Sequence, residues 1–507
     1  MEAKPDGLRR RLPVASIVAL LLCAALWGAL FARIAERNIG TDKDLLYLYV
    51  CGIELKEPAR RDQQQELIRQ LTSISASEHL IYRATMRERY CNNYPLTSLS
   101  MVAAGELQRS FGVADPERDF PRFISISMWW GMTLSGAVLG LLCLACVFGA
   151  AQGALMLTSL GAVTIAAFLY VFVPPPNLAW MLHHVPPTRV VTLPNTIGLS
   201  LYSWLNPTAA FSPFSVFPRC LCAMLAFAAF TLRWSGRNGA AYWIPLIASF
   251  VHQSEAPMLL AVMIACDLVT RPASLLRPAS AVPIGLGVVV IALRENMFSI
   301  MGLSGLATVK PPSFATTIAL AAIICLAAAV LPLPATRAAI KACWNTIKGW
   351  RARLSVPFVE AVIIVLLWLA VLLVCYAFRH DAFPRVVYLW SELPSRFVGL
   401  FQLTVIAGLT YPVWLAIIRM RPRAIREAMA VISCAAIALA TYQWARPWTP
   451  TSSLVNGARQ TEERIATGYS GEQGSYSRIE TPWYYLILRQ SFVGGDGLAE
   501  YFAKHRK

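Results

Sequence analysis

Two carboxylates stand close behind the first apolar stretch of the chain, in Asn38-Ile39-Gly40-Thr41-Asp42-Lys43-Asp44-Leu45-Leu46-Tyr47-Leu48-Tyr49. A carboxylate held at a membrane surface can take the proton from a hydroxyl nucleophile. Asp42 and Asp44 are therefore the candidate catalytic residues. The competing role is structural, because an acid ahead of the apolar run 45–53 would cap a helix N-terminus.

A second group is cationic. His183, His184 and Arg189 lie in segment 174–212, Arg294 and Lys310 in 294–313, and Arg379, His380, Arg385 and Arg396 around 379–395. Preorganised cations stabilise the charge that develops on a leaving phosphate, and Arg grips phosphate through two parallel hydrogen bonds. Taken singly, each of these reads as a loop charge or an interfacial anchor, and Arg294 has Glu295 beside it as an ion-pair partner. The sharpest polar interruption is His252-Gln253-Ser254-Glu255, placed between two short apolar runs. Ionisable groups near membrane depth are costly and point to function; the plain alternative is a hairpin tip reaching interfacial water. Together the cationic residues put basic groups in several expected outer loops. No CxxC or His-x-x-x-His spacing supports a metal site, and whether a divalent ion assists is left open.

These residues must be carried by membrane helices. Of the 507 residues, 56% are hydrophobic and only 14% are charged, against about 25% charged in a soluble domain. This argues against a soluble multidomain enzyme and excludes a disordered chain. The formal net charge is +17. A basic chain can bind nucleic acid, but here the positive charge sits between apolar segments, as in a multi-span membrane protein. No nucleic-acid partner is expected.

A spanning helix needs about 20 mostly apolar residues. Candidate segments run over 12–32, 124–149, 154–173, 213–232, 240–252, 256–269, 280–293, 314–333, 356–378, 396–418 and 428–444. The first is too long for the apolar core of a signal peptide, so it reads as a retained helix. The pair 240–252 and 256–269 is short, and one long span or a re-entrant hairpin would also fit. Counting it as two crossings puts four basic groups on one face: Arg233 and Arg237; Arg271 and Arg277; Arg337, Lys341, Lys348, Arg351 and Arg353; Arg419, Arg421, Arg423 and Arg426. Basic loops mark the cytoplasmic side. The expected fold class is an all-α polytopic membrane protein with eleven spans, N-terminus inside and C-terminus outside, in a bacterial-type inner (plasma) membrane.

The domain plan follows. Residues 1–33 form the cytoplasmic N-terminus and first span, 34–123 an extracytoplasmic loop, 124–444 the multi-span domain and 445–507 an extracytoplasmic tail. Within the loop, Leu67, Ile68, Leu71 and Ile74 give 63–89 the spacing of an amphipathic surface helix. Pro95 suits a helix first turn. Of 12 cysteines, most fall in apolar spans, and Cys51 and Cys91 lie in the outer loop. An oxidising outer space predicts a Cys51–Cys91 disulfide closing a loop of about 40 residues and adding about 3–4 kcal/mol. The tail is expected to fold back on the outer loops through Trp483, Tyr484 and Tyr485. Glu360, inside a span near its cytoplasmic end, is expected to snorkel or to pair with a neighbouring Arg.

One span, an outer loop with early acids, a surface helix, a Tyr94-Pro95-Leu96 entry into another helix and Arg122 before the second span together resemble the GT-C class of membrane glycosyltransferases. That class includes protein mannosyltransferases, lipid A aminoarabinose transferases and mycobacterial arabinofuranosyltransferases. The resemblance covers roughly residues 10–270 and rests on layout and short motifs. The acid pair of that class is often adjacent, whereas Lys43 separates Asp42 from Asp44 here. The resemblance implies a sugar taken from a polyprenyl-phosphate donor and passed to a glycan or lipid acceptor on the outer face. It implies Asp42 or Asp44 as general base, a donor contact for His252, and candidate contacts to the donor's phosphate from Arg189, Arg294, Lys310, Arg379 and His380. No cofactor beyond the lipid-linked donor is implied. The alternatives are a flippase for lipid-linked saccharide, which would commonly show paired repeats not found here, and a polysaccharide polymerase.

Overall fold

The computed structural model describes residues 43–56, 95–150, 154–172, 217–252, 255–293, 354–377, 387–420 and 422–444, with scattered positions in 18–25 and 455–494. Among the described residues the chain is all-α, with no strand. The helices, in chain order, are α1 (Lys43–Lys56), α2 (Pro95–Ser110), α3 (Phe120–Ala150), α4 (Ala154–Phe172), α5 (Phe217–Trp234), α6 (Asn238–Val251), α7 (Glu255–Thr270), the single turn α8 (Pro272–Leu275), α9 (Pro278–Leu293), α10 (Val356–Ala377), α11 (Val387–Met420) and α12 (Pro422–Trp444).

Sequence dictates several of these boundaries. Pro95, Pro272, Pro278 and Pro422 each occupy the first position of a helix, where a missing N–H costs nothing and the fixed φ is already helical. Gly112 and Gly236, with φ of 63° and 85°, follow the ends of α2 and α5. Both lie in the left-handed region that a Cβ disfavours, so each ends its helix and turns the chain.

α5 is the centre of the bundle. Every residue from Leu221 to Trp234 is buried, and α5 packs on α3, α6, α7 and α11. α10 and α11 pack side by side, with Gly408 of α11 against the Pro357 carbonyl and Ala361 Cβ of α10. Gly161 of α4 similarly receives the Trp414 ring of α11. Such small residues let helix axes approach closely, the usual packing device inside membranes. An interhelical bond from Thr164 to Ser433, 2.5 Å, ties α4 to α12.

Among the described residues, two helices are long and apolar enough to cross a membrane: Val356–Leu373 in α10 and Arg396–Ile417 in α11. α10 is apolar on both sides. Ala361, Ile364, Trp368 and Leu372 are buried, while Val362, Leu366, Leu369 and Leu373 are exposed. A helix that exposes a leucine stripe of this length needs a nonaqueous partner.

The short pair 240–252 and 256–269 resolves into two separate helices, α6 and α7, rather than one long one. One expected boundary is corrected. α11 begins at Val387, so Arg396 lies inside a helix and not at the edge of a loop. Pro394 and Pro412 also lie within α11. Segment 314–333, the stretch 57–94 with its amphipathic candidate, and loop 174–212 lie outside the described residues.

Candidate functional site

The two ends of the bundle carry different polar centres, identified by contacts. At one end the last turns of α5 and α7 meet the first turns of α6 and α10. At the other end α6 finishes and α7 begins, with α2 above them. The 14 residues of α6 separate the ends by about 21 Å.

The second of these ends holds the polar turn singled out in the sequence. His252 terminates α6 in an extended conformation, φ −152° and ψ 107°, and its N–H still donates to the Ala248 carbonyl at 2.8 Å. Glu255 opens α7, its N–H donating to the His252 carbonyl at 3.3 Å. An acid in a helix first turn faces the positive end of the helix dipole. Both side chains are 2% exposed. At these two residues the turn is covered and not solvated.

The cover comes from the loop between the first two expected spans. Thr97, in the first turn of α2, donates its hydroxyl to the Val251 carbonyl at 3.3 Å, satisfying one of the carbonyls a helix end leaves open. Ser98, next in sequence, is fully buried, and its carbonyl lies against Gly52 of α1. A Cβ at Gly52 would collide with that carbonyl and with Val102. The chain of contacts is therefore α1 to α2 at Gly52, then α2 to the α6–α7 turn at Thr97.

α2 also runs antiparallel along α3. Gln108 donates to the Phe123 carbonyl at 2.9 Å and to the Ser127 hydroxyl at 2.5 Å, while Met101 and Ala104 face Gly131. The tail closes the other flank. Phe492 lies between Tyr49 and Phe123 at 5.8 and 4.9 Å between ring centroids, Tyr485 meets Phe120 edge-on at 5.1 Å, and Arg459 pairs with Asp119 at 3.2 Å. Of the three tail aromatics expected to dock, Tyr485 does so, and Trp483 and Tyr484 lie outside the described residues. Burial pushes the Tyr49 and Tyr485 hydroxyls well above the ordinary tyrosine range, so both are neutral packing groups.

The expected catalytic acids divide. Asp42 lies outside the described residues, directly before α1. Asp44 lies in the first turn of α1, eight residues or about 12 Å along the helix from Gly52. The capping role and the proton-accepting role both suit a first-turn acid. Of the expected donor-binding cations, only His252 is described. Arg189, Arg294, Lys310, Arg379 and His380 lie outside the described residues, as do His183, His184 and Arg385. Cys51 is disulfide-bonded. The expected partner, Cys91, is also outside them.

The other end holds a centre the sequence disclosed only in part. Arg233, expected in a loop, is instead fully buried in the last turn of α5. Its Nη2 donates to Asp267 Oδ1 and to Glu360 Oε1, both at 2.8 Å. Trp234 Nε1 donates to Glu360 Oε2 at 2.7 Å and Thr270 to Glu360 Oε1 at 3.1 Å. The Tyr242 hydroxyl donates to Asp267 Oδ2 at 2.5 Å. Every carboxylate oxygen thus accepts a hydrogen bond. The pairing expected for Glu360 is present, with Arg233 as partner. Arg271 adds a second positive charge, its Nη1 donating to the Arg233 carbonyl and to Asn238 Oδ1 at 2.8 Å each. Arg233 is thus the arginine that both acids share, and Arg271 holds the end of α5 to the start of α6. Asp267 was visible as an acid inside an apolar segment, a signal that warrants a search for its partner.

Among the described residues no group of three or more His, Cys, Asp or Glu is arranged to hold a metal ion. The polar turn offers an imidazole and a carboxylate in a water-poor setting, close to the helix that bears Asp44. That arrangement can bind and orient a charged group and move a proton. No family model matches the chain, and no curated protein or solved structure matches it either.

Proposed function

We propose that the protein is an integral membrane glycosyltransferase that moves a sugar from a polyprenyl-phosphate donor to an envelope glycan or lipid acceptor on the outer face. The observation that carries this reading is the contact chain from the acid-bearing helix α1, through Gly52 and Thr97, to the buried His252–Glu255 turn. It links the helix that bears Asp44 to the polar turn, although about 200 residues separate Asp44 from His252 in the chain.

In this reading all eleven apolar segments cross the membrane, with the N-terminus and the basic loops in the cytoplasm and the tail outside. The exposed stripes of α10 and the two spanning-length helices support membrane residence. A disulfide at Cys51 supports an oxidising compartment for α1. The reaction balances simply. Asp42 or Asp44 takes the proton of an acceptor hydroxyl, whose oxygen attacks the anomeric carbon. The bond from that carbon to the phosphate oxygen breaks, and the polyprenyl phosphate leaves with the electron pair. His252 contacts the donor phosphate, helped by Arg189, Arg294, Lys310, Arg379 and His380.

The test is transfer from synthetic polyprenyl-phosphate sugars by protein reconstituted in vesicles. Removing a general base costs about 10²–10⁴ in rate, so Asp42→Asn or Asp44→Asn should lose that much while keeping the wild-type melting profile. Full turnover by both variants would end the base assignment. Movement of lipid-linked saccharide across the bilayer without any transfer would identify a flippase instead.

A further inference from the structure

α2 buries polar groups and exposes leucines. The face turned inward carries Thr97, Ser98 and Gln108 among Met101, Val102, Ala104 and Gly105, all buried. The face turned outward carries Leu96, Leu99, Leu107 and, just past the helix end, Phe111, at 41, 43, 41 and 69% exposure. The spacing i, i+3, i+11, i+15 keeps these four on one side. A helix in water turns its leucines inward and its threonines and glutamines outward, so this face is not built for water.

Its depth can be read from its neighbours. Gln108 sits beside Phe123 and Ser127, and Met101 beside Gly131. Continuing this antiparallel register puts Thr97 near the level of residue 135 of α3, about 22 Å below the start of that helix at Phe120. There Thr97 meets the end of α6. α6 covers about 21 Å, short of the roughly 30 Å of a hydrocarbon core. A helix starting at the opposite surface therefore ends inside the core, and α2 fills the layer above it. α6 likewise exposes Trp243, Ile247 and Phe250.

We infer that α2 is a re-entrant membrane helix whose Leu96, Leu99, Leu107 and Phe111 face contacts the acyl chains of the outer leaflet. The loop between the first two expected spans is then not wholly outside the bilayer, and the His252–Glu255 turn is roofed at membrane depth. The inference rests on the membrane reading above and is independent of glycosyl transfer.

The test uses the full chain in phosphatidylcholine–phosphatidylglycerol vesicles. An encoded ketone amino acid at position 99, 107, 366 or 118, labelled with a nitroxide, leaves every native cysteine in place. Collision rates with oxygen, which partitions into lipid, and with a neutral nickel chelate, which stays in water, are compared. Leu366 on α10 is the lipid reference and Arg118, 88% exposed in its side chain, the water reference. Positions 99 and 107 should match position 366, with oxygen collisions severalfold above those of the chelate. Chelate-dominated collisions at 99 and 107, with position 366 still in lipid, would overturn the inference alone, and so would low rates with both reagents, which mean a protein cover. Chelate-dominated collisions at position 366 would overturn the membrane reading and this inference with it.

Discussion

The two polar centres differ in how they are assembled. The Arg233–Asp267–Glu360 centre draws on consecutive helices plus α10, and each carboxylate oxygen has its donor within 3.1 Å. It is closed, with both acids bonded to one buried arginine, as a structural clamp in a low-dielectric interior requires. The His252–Glu255 centre is roofed by segments from elsewhere in the chain: α2 directly, then α1, and beyond them the tail. Both centres lie where helices end, but His252 and Glu255 flank a turn within one stretch of chain instead of bridging separate helices. A clamp fixes the bundle at one end, and the other end carries two buried ionisable residues under a roof of distant segments.

The largest expected effect breaks the clamp. Arg233→Met strands two buried carboxylates and should cost about 3–5 kcal/mol, read as a collapse of the thermal transition in detergent. The triple variant Arg233→Met, Asp267→Leu, Glu360→Met removes the charges together and should recover most of that loss. If the triple variant is no better than the single one, the clamp is not an electrostatic unit.

A mutation of the roof should behave differently. Gly52→Leu forces α1 away from the Ser98 carbonyl, an overpacking cost of about 3 kcal/mol. Transfer activity should fall further than stability does, because α1 carries the acid and α2 covers the turn. A loss of activity that merely tracks unfolding would place α1 outside the active centre.

The smallest effect concerns pH. Tyr49 is neutral below its ordinary value of 10.0, and burial raises it further in the folded state. Below about pH 10 the tyrosine is protonated in both states and contributes no pH dependence. Above that the unfolded chain loses the proton while the folded chain keeps it, so stability falls by about 1.4 kcal/mol per pH unit. Tyr49→Phe should flatten the alkaline slope measured by chemical denaturation between pH 9 and 11, and an unchanged slope would show that the Tyr49 hydroxyl reaches solvent.

Much of the architecture was legible in the chain. Apolar runs gave the helices over 120–150, 154–172, 278–293 and 356–377 to within a few residues, because burial on all sides leaves an uninterrupted apolar composition. Splitting 240–252 from 256–269 was also right, since four polar residues interrupt the run. Arg233 was misplaced because an arginine at the end of an apolar segment looks the same whether it meets water or a buried acid 127 residues away. α11 was started too late because its first turns mix Ser391, Glu392 and Pro394 with apolar residues. In the candidate site, His252 could be picked out by type and position, but its burial could not.

The amino-acid order alone determined the helical class, the apolar spacing, the acids behind the first apolar segment and the polar turn at His252. These depend on local composition and period, which neighbours along the chain set. Only the tertiary structure decided that Arg233 joins Asp267 to Glu360, that α2 turns its leucines outward, and that α1, α2 and the tail come together over one end of the bundle. Such pairings depend on which faces meet across tens or hundreds of residues, and a face acquires its partner only when the helices pack.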